Sequence, residues 1–180
     1  MKRRLFALLA AAVLAVPVLA ADTKFALDGD NTKVKFVGTK PGGKHEGGFK
    51  KLTGTATVTG DDLASVKLEV EIDLNSTYTD TEKLTAHLKS PDFFGVKTNP
   101  KSKFVSTKVE KGDDGYTVTG DLTLNGKTAS VSFPAKIALA DGTLTLTSEF
   151  KIKRQDFGIT YGDGKIDNDV SLKVSLKAKK

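Results

Sequence analysis

Apolar and polar residues alternate one for one along most of this chain, and that period admits few folds. Val66, Leu68, Val70, Ile72 and Leu74 are interleaved with Lys67, Glu69, Glu71 and Asp73. Successive strand side chains point to opposite faces, so this segment reads as a strand with one apolar and one wetted face. The same parity runs through Tyr116, Val118, Leu122 and Leu124, with Gly120 in the middle, and through Val131, Phe133, Ala135, Ile137 and Leu139. Leu144, Leu146, Phe150 and Ile152 repeat it, and Val170, Leu172, Val174 and Leu176 repeat it again. Shorter strands are read at residues 34–37, 53–59 and 104–109. The 21 threonines fit a sheet protein, because a β-branched side chain suits the pleated surface.

Turn chemistry falls between these runs. Asn125-Gly126 is the strongest hairpin signal, since a type I′ turn needs positive φ at both central residues. Asp141-Gly142 gives a second hairpin and Asp113-Asp114-Gly115 a looser third. Connections this short join antiparallel neighbours, because parallel strands need long crossovers. The rhythm breaks once. Leu84 and Leu88 lie one helical turn apart in residues 80–89, and Ser90-Pro91 then offers an N-cap and first helical residue for a second start. The glycine-rich stretch 38–48 (GTKPGGKHEGG) reads as a flexible polar loop. The fold class is therefore all-β, about eight antiparallel strands with a short helical insertion. Alternation alone leaves sandwich and barrel open.

The first 20 residues read as a secretory signal peptide, with the domain occupying residues 21–180. Lys2, Arg3 and Arg4 precede an apolar run from Leu5 to Leu19, and Val18 and Ala20 place small residues at −3 and −1 of a cleavage site. The run is short for a bilayer span. Export to the periplasm is the expectation. Removing the three leader cations leaves 25 basic against 22 acidic residues, so half of the net charge of +6 belongs to the leader.

Composition then excludes several chemistries. With no cysteine there is no disulfide, thiolate nucleophile or Cys-ligated metal. Two histidines, His45 and His87, make a histidine-rich metal site untenable, and no Gly-x-Ser-x-Gly elbow accompanies them. Asp163, Asp167, Asn168 and Asp169 lack the spacing and closing Glu of an EF-hand loop. Arg154 is the single arginine after the leader, which argues against nucleic acid as a partner. No metal or cofactor is expected.

The run His87-Leu88-Lys89-Ser90-Pro91-Asp92-Phe93-Phe94, with Asn99-Pro100 and Phe104-Val105-Ser106 after it, resembles the signature of the YceI-like, polyisoprenoid-binding family. The segment from Tyr116 to Gly126 and the late Arg154-Gln155-Asp156-Phe157-Gly158-Ile159 are similar to two further family segments. The chain departs from the common pattern at Leu84-Thr85, where many members carry Arg-Asp, and at Asn31-Thr32, where many carry His-Ser. The resemblance implies an eight-stranded antiparallel lipocalin-like β-barrel in the periplasm. It also implies a non-enzymatic carrier whose lumen sequesters a polyisoprenoid, an isoprenoid quinone tail or a fatty amphiphile. Homodimerisation and transient membrane contact are compatible with it. The alternative is a ligand-free structural or protein-interaction β-module of the cell envelope.

On the carrier reading, Phe36, Phe93, Phe94, Phe104, Phe133 and Phe150 are the candidates for contact with the apolar tail, and His87 and Arg154 for contact with the headgroup. The competing role for each phenylalanine is plain barrel filling. For His87 it is local packing, and for Arg154 an ion pair with Asp156 or another carboxylate at the barrel end. His45 reads as solvated.

Overall fold

The computed structural model describes residues 20–180, so the predicted leader, residues 1–20, lies outside the described residues apart from Ala20. Among the described residues eleven strands and one α-helix follow one another. They are β1 (Asp22–Asp28), β2 (Thr32–Lys40), β3 (Gly43–Phe49), β4 (Leu52–Thr59), β5 (Asp62–Asp73), β6 (Thr77–Thr79), α1 (Glu82–Lys89), β7 (Lys101–Gly112), β8 (Gly115–Leu124), β9 (Lys127–Ala140), β10 (Thr143–Lys153) and β11 (Asp169–Lys179). All pairings are antiparallel within a single sheet of order β1-β4-β5-β7-β8-β9-β10-β11-β2-β3-β6. Among the described residues no helix is long and apolar enough to cross a membrane.

The expected eight strands become eleven because three long ones are broken. β1 and β2, β3 and β4, and β5 and β6 are successive halves of three ribbons, and each half pairs with the matching half of its neighbour. The breaks lie side by side. Between β1 and β2, the Asp28 carboxylate accepts N–H bonds from Asp30 at 2.8 Å and Asn31 at 3.0 Å. The Asn31 and Asp30 amides, in that order, hold the Asp28 carboxyl below its ordinary pKa. Between β3 and β4, the Lys50 amide donates to the Ser76 carbonyl at 3.2 Å and the Lys51 amide to Ser76 Oγ at 3.0 Å. Ser76 itself ends the short 3₁₀ turn Leu74–Ser76 that separates β5 from β6. One crease thus crosses three adjacent ribbons. Because β2 pairs with β11 on one side and β3 on the other, the eight ribbons close on themselves as a curled barrel.

The predicted parity holds throughout. Inward Val66, Leu68, Val118, Phe133, Ala135, Ile137, Leu144 and Leu146 are buried, whereas Lys67, Glu69, Lys136 and Glu149 between them are exposed. Outward charges pair across strands, as in Lys101–Glu71 at 2.6 Å and Lys103–Glu69 at 2.5 Å. The two positive-φ turns come out as read: Asn125 and Gly126 at φ 50° and 71°, Asp141 and Gly142 at 48° and 68°.

Two expectations are corrected. Residues 38–48 form the β2–β3 hairpin rather than a loose loop, turning at Gly42 with φ 76°. The second helical start at Ser90-Pro91 gives a single turn: the Gly95 amide bonds the Ser90 carbonyl at 2.9 Å, and Gly95 at φ 56° ends it. The helix before it begins at Glu82, capped by Thr81, whose hydroxyl accepts from the Leu84 amide at 3.2 Å.

Inside the barrel the apolar residues separate into two packed regions. The lower one includes Phe25, Leu52, Val58, Val118, Phe133, Leu146 and Leu176. The upper one includes Phe36, Leu74, Leu88, Phe93, Phe94 and Phe157. They are joined by partly buried residues common to both, Ile72 and Val131.

Candidate ligand-binding site

A cavity of about 420 Å³ lies within the barrel and touches both packed regions. Two side chains make room for it by lying flat against the wall. The Phe36 ring covers Gly47, its direct cross-strand partner, so closely that a Cβ there would collide with it. The Phe104 ring covers Gly120, where an added Cβ would stand 2.6 Å from the ring and 2.5 Å from the Val105 carbonyl oxygen. Any larger residue at either glycine would push an aromatic ring towards the lumen. Phe133 and Phe150 behave differently. They stack on each other with centroids 4.2 Å apart and planes 12° apart, and Phe104 packs on Phe133 at 5.7 Å.

The inner wall is almost wholly apolar, and its few polar atoms are already engaged. Ser102 Oγ donates to the Thr123 carbonyl at 2.8 Å, and Thr32 Oγ1 to Asn31 Oδ1 at 2.9 Å. Just outside the lining, Ser148 Oγ donates to the Pro134 carbonyl at 2.5 Å, near where the backbone pairing of β9 with β10 stops at Lys136 and Thr147. Proline has no N–H to extend that ladder, and the serine hydroxyl bridges the strands instead. Among the described residues no buried side-chain nitrogen or oxygen lacks a partner. Nothing deep in the lumen calls for a polar guest.

The mouth is built by three elements stitched together. The β2–β3 hairpin supplies Lys40 and His45, α1 supplies Leu84, His87 and Leu88, and the segment 158–168 supplies Ile159, Tyr161 and Ile166. His45 Nδ1 lies 3.0 Å from Asp80 Oδ2, tying the hairpin to the approach to α1. Thr39 Oγ1 donates to Asp167 Oδ2 at 2.5 Å, and the Asp167 amide to the Thr39 carbonyl at 3.0 Å, tying it to the later segment. His87 packs edge-on against Tyr161 at 4.7 Å and Phe93 at 5.0 Å, while its Nε2 meets Asp92 Oδ2 at 2.9 Å. Tyr161 remains 46% exposed. α1 also covers the free edge of β6, where the Thr79 amide donates to Thr85 Oγ1 at 2.9 Å.

All eight residues singled out from the sequence line this one cavity: Phe36, His87, Phe93, Phe94, Phe104, Phe133, Phe150 and Arg154. Their settings differ. Phe36, Phe104, Phe133 and Phe150 occupy inward positions on β2, β7, β9 and β10, whereas Phe93 and Phe94 are buried under the mouth by the turn after α1. Arg154 is 4% exposed, and its partners are carbonyls rather than a carboxylate. Its Nε donates to Asp167 at 3.1 Å, Nη1 to Ile159 at 2.8 Å and Tyr161 at 2.9 Å, and Nη2 to Ile166 at 3.1 Å. Four of its five N–H groups thus hold the mouth segment in shape.

His45, read as solvated, keeps 40% of its side chain exposed and forms part of the rim. Sequence reasoning missed Tyr161, Ile159 and Ile166, which sit in a segment without periodicity. The spacing of Ile159, which ends the late motif, and Tyr161 two residues on was the available signal. Among the described residues no group of three or more metal-ligating side chains comes together.

The family model described as the YceI-like domain matches residues 25–178, from β1 to the end of β11. A UPF0312 protein of Serratia proteamaculans is 34% identical over 187 aligned residues, 98% of this chain and 97% of that protein. Protein YceI of Escherichia coli O157:H7 is 33% identical with the same coverage. Among solved structures, Burkholderia cenocepacia BcnA superposes with a TM-score of 0.75 at 28% identity, over 82% of this chain and 96% of that one. A polyisoprenoid-binding domain from Saccharophagus degradans, 16% identical, shares the fold with a TM-score of 0.68 over 90% of this chain and 99% of its own. The match thus spans the whole barrel, the mouth segments included, and the chain belongs to the YceI-like family.

Proposed function

We propose that this protein is a binding protein, not an enzyme, that sequesters the apolar chain of an amphiphile in its barrel and leaves the headgroup at the mouth. The ligand classes that fit are a polyisoprenoid, an isoprenoid quinone or a fatty amphiphile. One observation carries this reading: a 420 Å³ cavity with an apolar wall inside the curled barrel. Water there would find few of the two to four polar partners that a buried water needs. An apolar chain placed there takes its own surface and that of the wall out of water together, so an apolar occupant is favoured. The Saccharophagus neighbour, described as polyisoprenoid-binding, agrees with that chemistry.

The mouth suits a headgroup, because Lys40, His45, His87 and Tyr161 bring polar groups to its rim. Both histidines are engaged with carboxylates, and among the described residues neither ring bonds a serine or threonine hydroxyl, which favours binding over hydrolysis. The basic and apolar leader supports export to the periplasm.

The test is native mass spectrometry of protein taken from the periplasm without detergent, followed by solvent extraction and lipid mass analysis. A stoichiometric isoprenoid or fatty amphiphile is expected. A clean apo mass, with no uptake of added prenyl or fatty lipids, would overturn the carrier reading in favour of an interaction module. Recovery of the chain in the cytoplasm with its leader intact would overturn the export assignment.

A further inference from the structure

The cavity has a floor. Phe133, Leu146 and Leu176 line it and also belong to the close-packed lower region, so they stand where open lumen gives way to filled core. Phe133 is 6% exposed and braced from above by the Phe150 ring stacked on it. Packed cores resist continuous deformation, so a chain arriving at such a surface stops there. The contrast with Phe36 and Phe104 strengthens the point. Those rings are drawn aside over glycines, whereas the Phe133–Phe150 pair is held by its own stacking.

Building on the carrier reading above, we infer that this floor is a ruler, which sets the length of apolar chain that one protein molecule can bury. A longer isoprenoid or acyl chain leaves its remainder outside the mouth, beyond Leu84, His87 and Tyr161. Chain length, not only headgroup, then decides affinity. Each added carbon multiplies affinity by about four while it still enters the lumen, and adds nothing after the floor is reached.

The test is a series of straight-chain alcohols of about eight to about twenty carbons, each displacing the apolar fluorophore N-phenyl-1-naphthylamine from delipidated protein. The expected curve rises steeply and flattens at a chain length within the series. Phe133→Ala removes six ring carbons, and with partial collapse of the space it should move the plateau up by about four carbons. Phe133→Leu, a milder truncation, should move it by about two and supplies the answer if the alanine variant does not fold. An affinity that climbs evenly to the longest alcohol overturns the ruler and leaves the carrier reading standing. So does a plateau that stays in place in a folded variant. If no alcohol of any length displaces the probe, the carrier reading itself fails and the ruler fails with it.

Discussion

Arg154 carries a positive charge into the barrel wall and gives it to backbone oxygens. A buried guanidinium needs dipoles or anions around it, and here the carbonyls of Ile159, Tyr161, Ile166 and Asp167 converge on it. Its removal would leave several buried acceptors without donors. Arg154→Leu should lower unfolding free energy by about 3 kcal/mol or more in urea titration. It should also speed proteolytic nicking in residues 158–168. Arg154→Lys should recover only part of the loss, since a single ammonium cannot reproduce the fork. Gly47 makes a second case. An alanine there would meet the Phe36 ring and stand 2.5 Å from the Tyr78 carbonyl oxygen. Gly47→Ala should cost about 1–3 kcal/mol and weaken ligand retention by turning Phe36 into the lumen. Equal stability in denaturant would show that the ring has somewhere else to go.

Among the elements, α1 and β6 depend on each other. β6 is three residues long and would present a bare edge without the Thr85 hydroxyl on its Thr79 amide. Thr85→Val keeps the shape and removes the acceptor. The expected result is faster hydrogen exchange at Thr79, with a loss of about 1–3 kcal/mol. At this scale the alternating strands were legible in sequence because burial on one face writes period two directly, as in residues 66–74 and 131–139. That same parity puts Phe133 and Phe150 on apolar strand faces, whereas a lumen for those faces to line is implied only by the family resemblance. The β2–β3 hairpin was not legible. Glycines at 47 and 48 looked like loop material, but they are there because Phe36 and Tyr78 pack over them. The strand breaks were hidden for a related reason, since Ser76 bonding to Lys50 and Lys51 is a contact between distant parts of the chain. Arg154 looked like half of an ion pair because no local pattern reveals carbonyls gathered from a folded loop.

On the proposed carrier reading, the barrel taken as one molecule is a container whose stability depends on its contents. Solvent-delipidated protein should melt about 10 °C or more below protein carrying its native ligand, and added ligand should restore the difference. Scanning calorimetry measures both. An unchanged melting temperature would mean that the cavity collapses when empty or that it is never filled.

The pairing of β2 with β11 has one more consequence. These strands come from opposite ends of the domain, and every other neighbouring pair of ribbons follows in chain order. During synthesis the chain can therefore build its wall hairpin by hairpin, but the wall does not close until the final strand arrives. Up to that moment β2 and β10 each wait with an open edge. The container and its capacity to hold anything appear together, in the last step of assembly.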